Sequence, residues 1–357
     1  MANREQPGGG TGAPVRLVIA GIGLVGRRHA AAIGQVAGAE LDAIVDPSAE
    51  GQAWAEARTL PWYETLEAMF AARSPDGVIL ATPTPLHASQ GLDCVRRACP
   101  VLVEKPLATT ADEARPLVVA AEKAGVPLLV GHHRRHNPLI RKAHEMLASG
   151  MIGELRAVHA SCWLYKPDPY FDTAPWRKRK GAGPISVNLV HDVDLIRHLC
   201  GEVVSVQAQA APSARGFENE DVAAAVVRFA NGAIGTITVS DSIVAPWSWE
   251  MTSAEYPIYP ATSQSCYQIG GSRGALSVPD LTLWTHPGGP DWWSPISATT
   301  TPKEASDPLV NQIAHFADVI AGVAPPLVSG REGLKTLQVI EAIQVSSATS
   351  TLVEIAP

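Results

Sequence analysis

Two side chains, an amine after an apolar run and an imidazole after a glycine-rich run, are the candidates for moving a substrate proton, and one glycine-spaced turn can hold phosphates. Lys105 lies in Glu104-Lys105-Pro106, directly after the apolar run Val101-Leu102-Val103. That run reads as a buried strand, and ligands of open α/β sheets bind beyond the carboxyl ends of the strands. Pro106 restricts the backbone on both sides of the peptide bond, giving the amine a defined direction. These residues alone leave two roles open, a solvated surface charge or an amine acting on a substrate. His191 opens His191-Asp192-Val193-Asp194, downstream of Gly181-Ala182-Gly183-Pro184. An imidazole titrates near neutral pH and can accept the proton of an alcohol being oxidised. If the chain is helical from Asn188 onward, Asn188, His191 and Leu195 share one face, with Asp194 one turn from the ring. Asp192 or Asp194 then orients the histidine or supports the helix, and a purely structural histidine is the alternative.

The third feature is the segment VRLVIAGIGLVGRRHA, residues 15–30. Gly21 allows a tight turn, Gly23 lets a pyrophosphate approach the backbone, and Gly26 lets a helix pack closely on the strand. The helix then offers free amides and its positive end to the phosphates. The contacts expected there are Gly21, Ile22, Gly23, Leu24 and Val25. Asp46 follows at the end of the next strand, where a carboxylate binds the adenosine ribose hydroxyls and repels a 2′-phosphate. That favours NAD; Arg27 and Arg28 are what would suit NADP, the lesser alternative. In a structural reading the glycines only shape a turn and Asp46 caps the next helix. The crossover Ala81-Thr82-Pro83-Thr84-Pro85-Leu86-His87 leaves the third long strand, which puts Thr82, Pro83 and His87 beside the nicotinamide ribose unless it is a plain strand-to-helix turn. Glu104 positions either the lysine or the cofactor ribose.

These residues need a scaffold of alternating strands and helices. Across 357 residues, two domains are expected. Residues 15–131 read as a Rossmann domain, a doubly wound parallel sheet with strands at 15–20, 41–45, 77–81, 101–103 and 127–130 and helices at 24–35, 49–57, 86–97 and 111–124. Residues 132–357 read as an α+β domain with a large, mostly antiparallel open sheet. Its strands are expected at 155–164, 203–210, 223–229 and 233–240, and its helices at 138–149, 188–200, 309–321 and 331–347. Residues 246–267, rich in Pro, Trp and Tyr, read as a long ordered loop. The leader, residues 1–14, reads as disordered. A net charge of −7 with no basic block argues against nucleic acid, and five scattered cysteines form no disulfide or zinc pattern. With no signal-like or membrane-length apolar run, a cytoplasmic protein is expected.

The glycine fingerprint, Asp46, Glu104-Lys105-Pro106 and the glycine-rich run into His191-Asp192-Val193-Asp194 together resemble the glucose–fructose oxidoreductase, inositol dehydrogenase and rhizopine-catabolism oxidoreductase family, from Val15 onward. The resemblance implies NAD-dependent oxidation of a hydroxyl on a sugar, sugar derivative or cyclitol, with Lys105 and His191 as the acid/base pair. It extends to two other outcomes, a glycosidase that oxidises and eliminates with retained NAD, and a sensor that binds NAD and sugar without turnover. Inositol dehydrogenase-like members carry an aspartate four residues before the histidine. This chain has Val187 there and Asn188 next, so either Asn188 contacts the substrate or the substrate is held differently. Tyr165, Arg177 and His133 are further substrate candidates, with Lys166 and Trp176 beside them. Three histidines within residues 132–136 lack acidic or cysteine partners in sequence, and no metal is expected. Trp247, Trp249, Trp292 and Trp293 are expected to pack. An uncovered face of the second sheet would favour a homodimer or homotetramer.

Overall fold

The computed structural model describes residues 13–356, so most of the expected leader lies outside the described residues. The chain forms two compact units. The first holds the chain up to Gly131 together with Leu309–Leu334; the second holds His132–Pro308 and the chain from Lys335 onward. This differs from a single division after residue 131; the far border of the returning segment, between Leu334 and Lys335, falls inside the helix Gly330–Thr349, where the sequence shows no break.

The first unit runs β1 (Val15–Ala20), α1 (Leu24–Ile33), β2 (Ala39–Val45), α2 (Ala49–Glu56), β3 (Trp62–Tyr63), α3 (Leu66–Ala72), β4 (Gly77–Leu80), α4 (His87–Arg96), β5 (Val101–Val103), α5 (Ala111–Ala124) and β6 (Leu128–Val130). All neighbouring strands pair in parallel, in the order β3-β2-β1-β4-β5-β6. Strand order therefore reverses between β1 and β4, the place where such sheets open a crevice for ligands. Leu17, Ile19, Ile79 and Leu102 are fully buried, as expected when helices cover both faces. Ile313 and Phe316 join this core, so the returning helix completes it. β3 and α3 were not expected from sequence, because two residues are too few to show a period. Helix starts follow side-chain caps: the Ser48 hydroxyl accepts from the Gly51 N–H and Thr110 from that of Glu113.

In the second unit come α6 (Pro138–Ala148), β7 (Leu155–Trp163), α7 (Asp168–Asp172), α8 (Pro184–Val187), α9 (Leu189–Cys200), β8 (Val203–Pro212), β9 (Glu220–Phe229), β10 (Ile234–Ser240), α10 (Trp249–Thr252), β11 (Tyr267–Gly271), β12 (Gly274–Val278), β13 (Thr282–Thr285) and β14 (Ser297–Thr300). The chain closes with α11 (Pro308–Ile320), α12 (Gly330–Thr349) and β15 (Val353–Glu354). A nine-stranded sheet has the order β14-β13-β12-β11-β7-β10-β9-β8-β15, antiparallel throughout except where β7 pairs with β10. Along β9, buried residues alternate with more exposed ones, so one face packs on the core. β11 and β12 escape the sequence pattern because Gly270, Gly271 and Gly274 break their alternation, and β13 and β14 are only four residues each. The stretch expected as one long loop contains α10 and ends in β11. Trp249 is buried there, whereas Trp292 and Trp293, expected to pack, are 86% and 88% exposed.

Candidate functional site

The glycine turn links β1 to α1. Gly21 has φ +86°, and a Cβ there would lie 2.6 Å from the Ala81 carbonyl oxygen. At Gly26 a Cβ would lie 2.0 Å from the Gly21 carbonyl oxygen, so the helix reaches the strand only without a side chain. Above Gly23 the space is open. The α1 N-terminus has no side-chain cap and no acidic residue in its first turn, and Leu24 is 80% exposed. An uncovered positive helix end beneath an open glycine fits a pyrophosphate.

Asp46 ends β2 beside this turn. Its Oδ2 accepts the Ile22 N–H at 2.9 Å, and its Oδ1 accepts the Ser48 N–H at 2.9 Å. Burial acts to raise its pKa, but the Ser48 hydroxyl, these two N–H groups and nearby Arg27 hold it below the usual carboxylate range. Oδ1 also accepts from the Ser48 hydroxyl at 2.5 Å, whereas Oδ2 retains capacity to accept a further bond from a ribose hydroxyl. Arg27 is committed locally, its Nε to the Ile22 carbonyl at 3.0 Å and its Nη2 to Glu50 at 2.5 Å.

Beyond β5, Glu104 organises the lysine turn. Its Oε2 accepts the Lys105 N–H at 3.1 Å, and its Oε1 lies 2.7 Å from Nε2 of the fully buried His29. A Cβ on Gly131 would collide with this carboxylate at 2.9 Å. Of the two roles open to Glu104 from sequence, the contacts within this unit are those of positioning the lysine turn. The Lys105–Pro106 bond is cis. His87 is buried, with Nδ1 2.9 Å from the Pro106 carbonyl and Nε2 2.8 Å from the Thr82 carbonyl. It braces two loop backbones, while Thr82 donates to Gln90 at 2.6 Å.

In the second unit His191 stands in the first turn of α9, 9% exposed, its N–H donating to the Asn188 carbonyl at 3.1 Å. Asn188 is the junction between α8 and α9, not part of a continuous helix from 188. The His133 ring lies 5.7 Å from that of His191. Asp194 does not serve the histidine: Arg135 grips it at 2.8 and 2.7 Å and Thr336 donates to it at 3.1 Å. Asp192 accepts from the Tyr267 hydroxyl and lies 3.9 Å from Arg134. Burial pushes Asp192 up to about 6, against the pull of Arg134. Arg134 also binds Glu250 at 2.6 Å. Glu255 receives His133 at 3.2 Å, Asn137 at 2.8 Å and the Trp249 indole at 2.9 Å. Burial opposes its ionisation, yet His133, Arg134 and Trp249 bring it down to about 2.

The remaining candidates form a connected cluster around Tyr170. Arg177 stacks on that ring at 4.0 Å and donates to the Tyr170 carbonyl at 2.5 Å. Lys166 lies 5.0 Å from the same ring and donates to Asn188 at 2.6 Å. Tyr165 is 51% exposed, with the Arg215 guanidinium 5.4 Å over its ring. Sequence reasoning missed His29, the Arg134 network and Asp241, the partner of Lys166 at 3.3 Å; their partners lie 26 to 122 positions away or have no motif to mark them.

Among the described residues no helix is long and apolar enough to cross a membrane. Residues 15–132 match the profile of the oxidoreductase family with an NAD-binding Rossmann fold, and residues 140–277 match the GFO/IDH/MocA C-terminal domain. The chain is 32% identical over 187 residues to the rhizopine catabolism protein MocA of Rhizobium meliloti, covering 52% of this chain and 57% of that one. It is 27% identical over 350 residues to D-apiose dehydrogenase of Paraburkholderia graminis, covering 94% and 88%. The crystal structure of the WlbA dehydrogenase from Bordetella pertussis with NADH and UDP-GlcNAcA superposes with a TM-score of 0.77 at 27% identity, covering 96% of this chain and 99% of that one. With both domain profiles matched in sequence order, the chain belongs to the Gfo/Idh/MocA family of oxidoreductases.

Proposed function

We propose that this protein oxidises a hydroxyl of a sugar, sugar derivative or cyclitol using NAD, reversibly, with Lys105 and His191 as the acid/base pair. When bound, NAD would supply the acceptor for the hydride leaving the carbon that bears that hydroxyl. His191 takes the hydroxyl proton, and Lys105 binds the oxygen and steadies its developing negative charge. Gly21, Ile22, Gly23, Leu24 and Val25 would hold the pyrophosphate, and Thr82, Pro83 and the Glu104-Lys105 turn would line the nicotinamide side. Asp46, kept ionised, accepts from the ribose and disfavours a 2′-phosphate.

The observation that carries this reading is the pairing of two built features in one family chain. One is a glycine turn open above Gly23 beside an ionised Asp46, and the other a His191 held 9% exposed in the first turn of α9. The relatives support the substrate class, since one is named a dehydrogenase of the sugar D-apiose and another was solved with a nucleotide sugar. Copies are proposed to pair through the open face of the second sheet, where Val226 and Ile234 are 51% and 54% exposed.

The test is NADH formation across sugars, sugar acids and inositols, then the same assay on Lys105→Ala and His191→Ala. Each variant is expected to lose about 10²- to 10⁴-fold in kcat, with NAD affinity retained. Full turnover by Lys105→Ala would refute the assignment, and release of sugar without net NADH would replace dehydrogenation by oxidation and elimination.

A further inference from the structure

In the second unit, Lys166 is 8% exposed and its Nζ donates to Asn188 Oδ1 at 2.6 Å. A lysine ammonium has donors and no acceptor, so the Asn188 atom it meets is the amide oxygen. The rest of the contact set locks the lysine in place. Asp241, 2% exposed, lies 3.3 Å from the ammonium and accepts from Arg215 at 3.1 Å. Arg215 Nη2 donates to the Lys166 carbonyl at 3.0 Å and the Asp241 carbonyl at 2.9 Å. The Lys166 N–H donates to the Asp241 carbonyl at 2.8 Å. Both ends of the lysine are thus fixed before it reaches the amide.

With the ammonium on its oxygen, Asn188 is oriented to present the two N–H groups of Nδ2. They have no hydrogen-bond partner among the described residues, and the side chain is partly open to solvent. The amide stands one turn before His191, whose N–H bonds the Asn188 carbonyl at 3.1 Å. Positions three apart in a helical turn have Cβ atoms about 5–6 Å apart. That spacing brings a group meeting these donors near the hydroxyl whose proton His191 takes.

Polarity decides what that group is. At position 187 Val187 offers no polar atom, so the polar contact next to the histidine is a pair of donors and not a carboxylate. A substrate hydroxyl can donate or accept and satisfies either arrangement. A substrate carboxylate only accepts: an aspartate repels it and an amide binds it. An ammonium on the amide oxygen polarises the N–H groups further, and donors to an ionised acceptor form the stronger, charge-assisted bonds.

We infer that Asn188, oriented by Lys166, determines specificity and selects a polyhydroxylated substrate carrying a carboxylate beside the reacting hydroxyl, a sugar acid in preference to a neutral sugar or cyclitol. Asn188 touches the substrate; Lys166 is a positioning residue acting through it. This rests on the dehydrogenase reading and narrows its substrate class.

The test uses the full-length protein with NAD, measuring kcat/KM on matched pairs, gluconate against sorbitol and galacturonate against galactose. The acid of a pair is expected to be favoured by about 10- to 100-fold, through KM. Asn188→Asp is expected to erase most of that ratio, and Lys166→Met to lower it by raising KM for the acid, with Lys166→Arg restoring part. NAD affinity and the melting temperature identify a variant that fails to fold. In that case the lysine pair decides. Equal use of acid and neutral partners, or an unchanged ratio in the folded variants, overturns the inference and leaves the dehydrogenase reading standing. NAD binding with oxidation of neither class refutes the dehydrogenase reading, and the inference falls with it.

Discussion

Replacing Glu255 by Gln tests the buried ionic network of the second unit. The side chain is 11% exposed and receives three donors, from His133 at 3.2 Å, Asn137 at 2.8 Å and Trp249 at 2.9 Å. Its carboxyl falls from an ordinary 4.5 to about 2 in the folded protein, burial opposing and His133 dominating the opposing attractions. At about 1.4 kcal/mol per pH unit, the ionised group contributes about 3 kcal/mol at neutral pH. Because the folded value is depressed, this stability is complete above about 4.5 and is lost as pH falls toward about 2. The amide keeps one acceptor oxygen and cannot ionise, so Glu255→Gln should be about 2–3 kcal/mol less stable at neutral pH. The gap should narrow steadily as the medium is acidified below 4.5. Asp192 has the opposite sign: burial raises it from 3.8 to about 6, so its stabilisation is present below 3.8 and lost as pH rises through about 6. That slope is common to both proteins and cancels in their difference to first order. Urea unfolding followed by tryptophan fluorescence gives the measurement, with Trp249 stacked on Tyr267 as the local reporter. A neutral-pH difference within about 0.5 kcal/mol, or a gap unchanged on acidification, would refute the electrostatic account.

Gly26→Val should abolish NADH binding and lower stability by about 3 kcal/mol or more, because its Cβ would sit 2.0 Å from the Gly21 carbonyl oxygen. Retained NADH fluorescence enhancement would show that the helix can shift. Asp46→Asn should raise the NADP-to-NAD ratio of kcat/KM about 10- to 100-fold by removing the charge that repels a 2′-phosphate. An unchanged ratio would place discrimination on another residue. Val226→Glu with Ile234→Lys should reduce the mass found by light scattering to that of a single chain, and an unaltered mass would move the interface off this sheet face.

Periodicity was informative where an element had enough residues to show it. β1, α1 and β4 carry their burial in the alternation of short apolar runs and helical stripes, and Gly21 and Gly26 mark the turn because only glycine fits there. The same logic had no purchase on β3, only two residues long, or on β11 and β12, whose glycines remove the pattern. The helices expected at 309–321 and 331–347 are placed with the second domain in the sequence reading, whereas Leu309–Leu334 clusters with the first unit, since an apolar stripe says that a face is buried and not against what. Ile313 and Phe316 pack with Leu17 and Ile19, nearly 300 positions upstream.

The candidate site follows the same division between what is local and what is distant. Lys105 stands out because its neighbours Glu104 and Pro106 make a motif, whereas Lys166 precedes a proline as well and drew notice only as one polar group among several. What separates the two is a set of partners that sequence spacing does not reveal: Asn188 lies 22 positions away and Asp241 is reached only through the sheet. Val187 then reads as a lost carboxylate only when position 187 is considered alone. Considered with Lys166, which fixes the Asn188 amide by its oxygen, the proposed reading of 187 and 188 is an inversion of hydrogen-bond polarity. An inversion predicts which substrates bind better as well as which bind worse, so comparing acids with their neutral counterparts is a sharper test than any loss of activity.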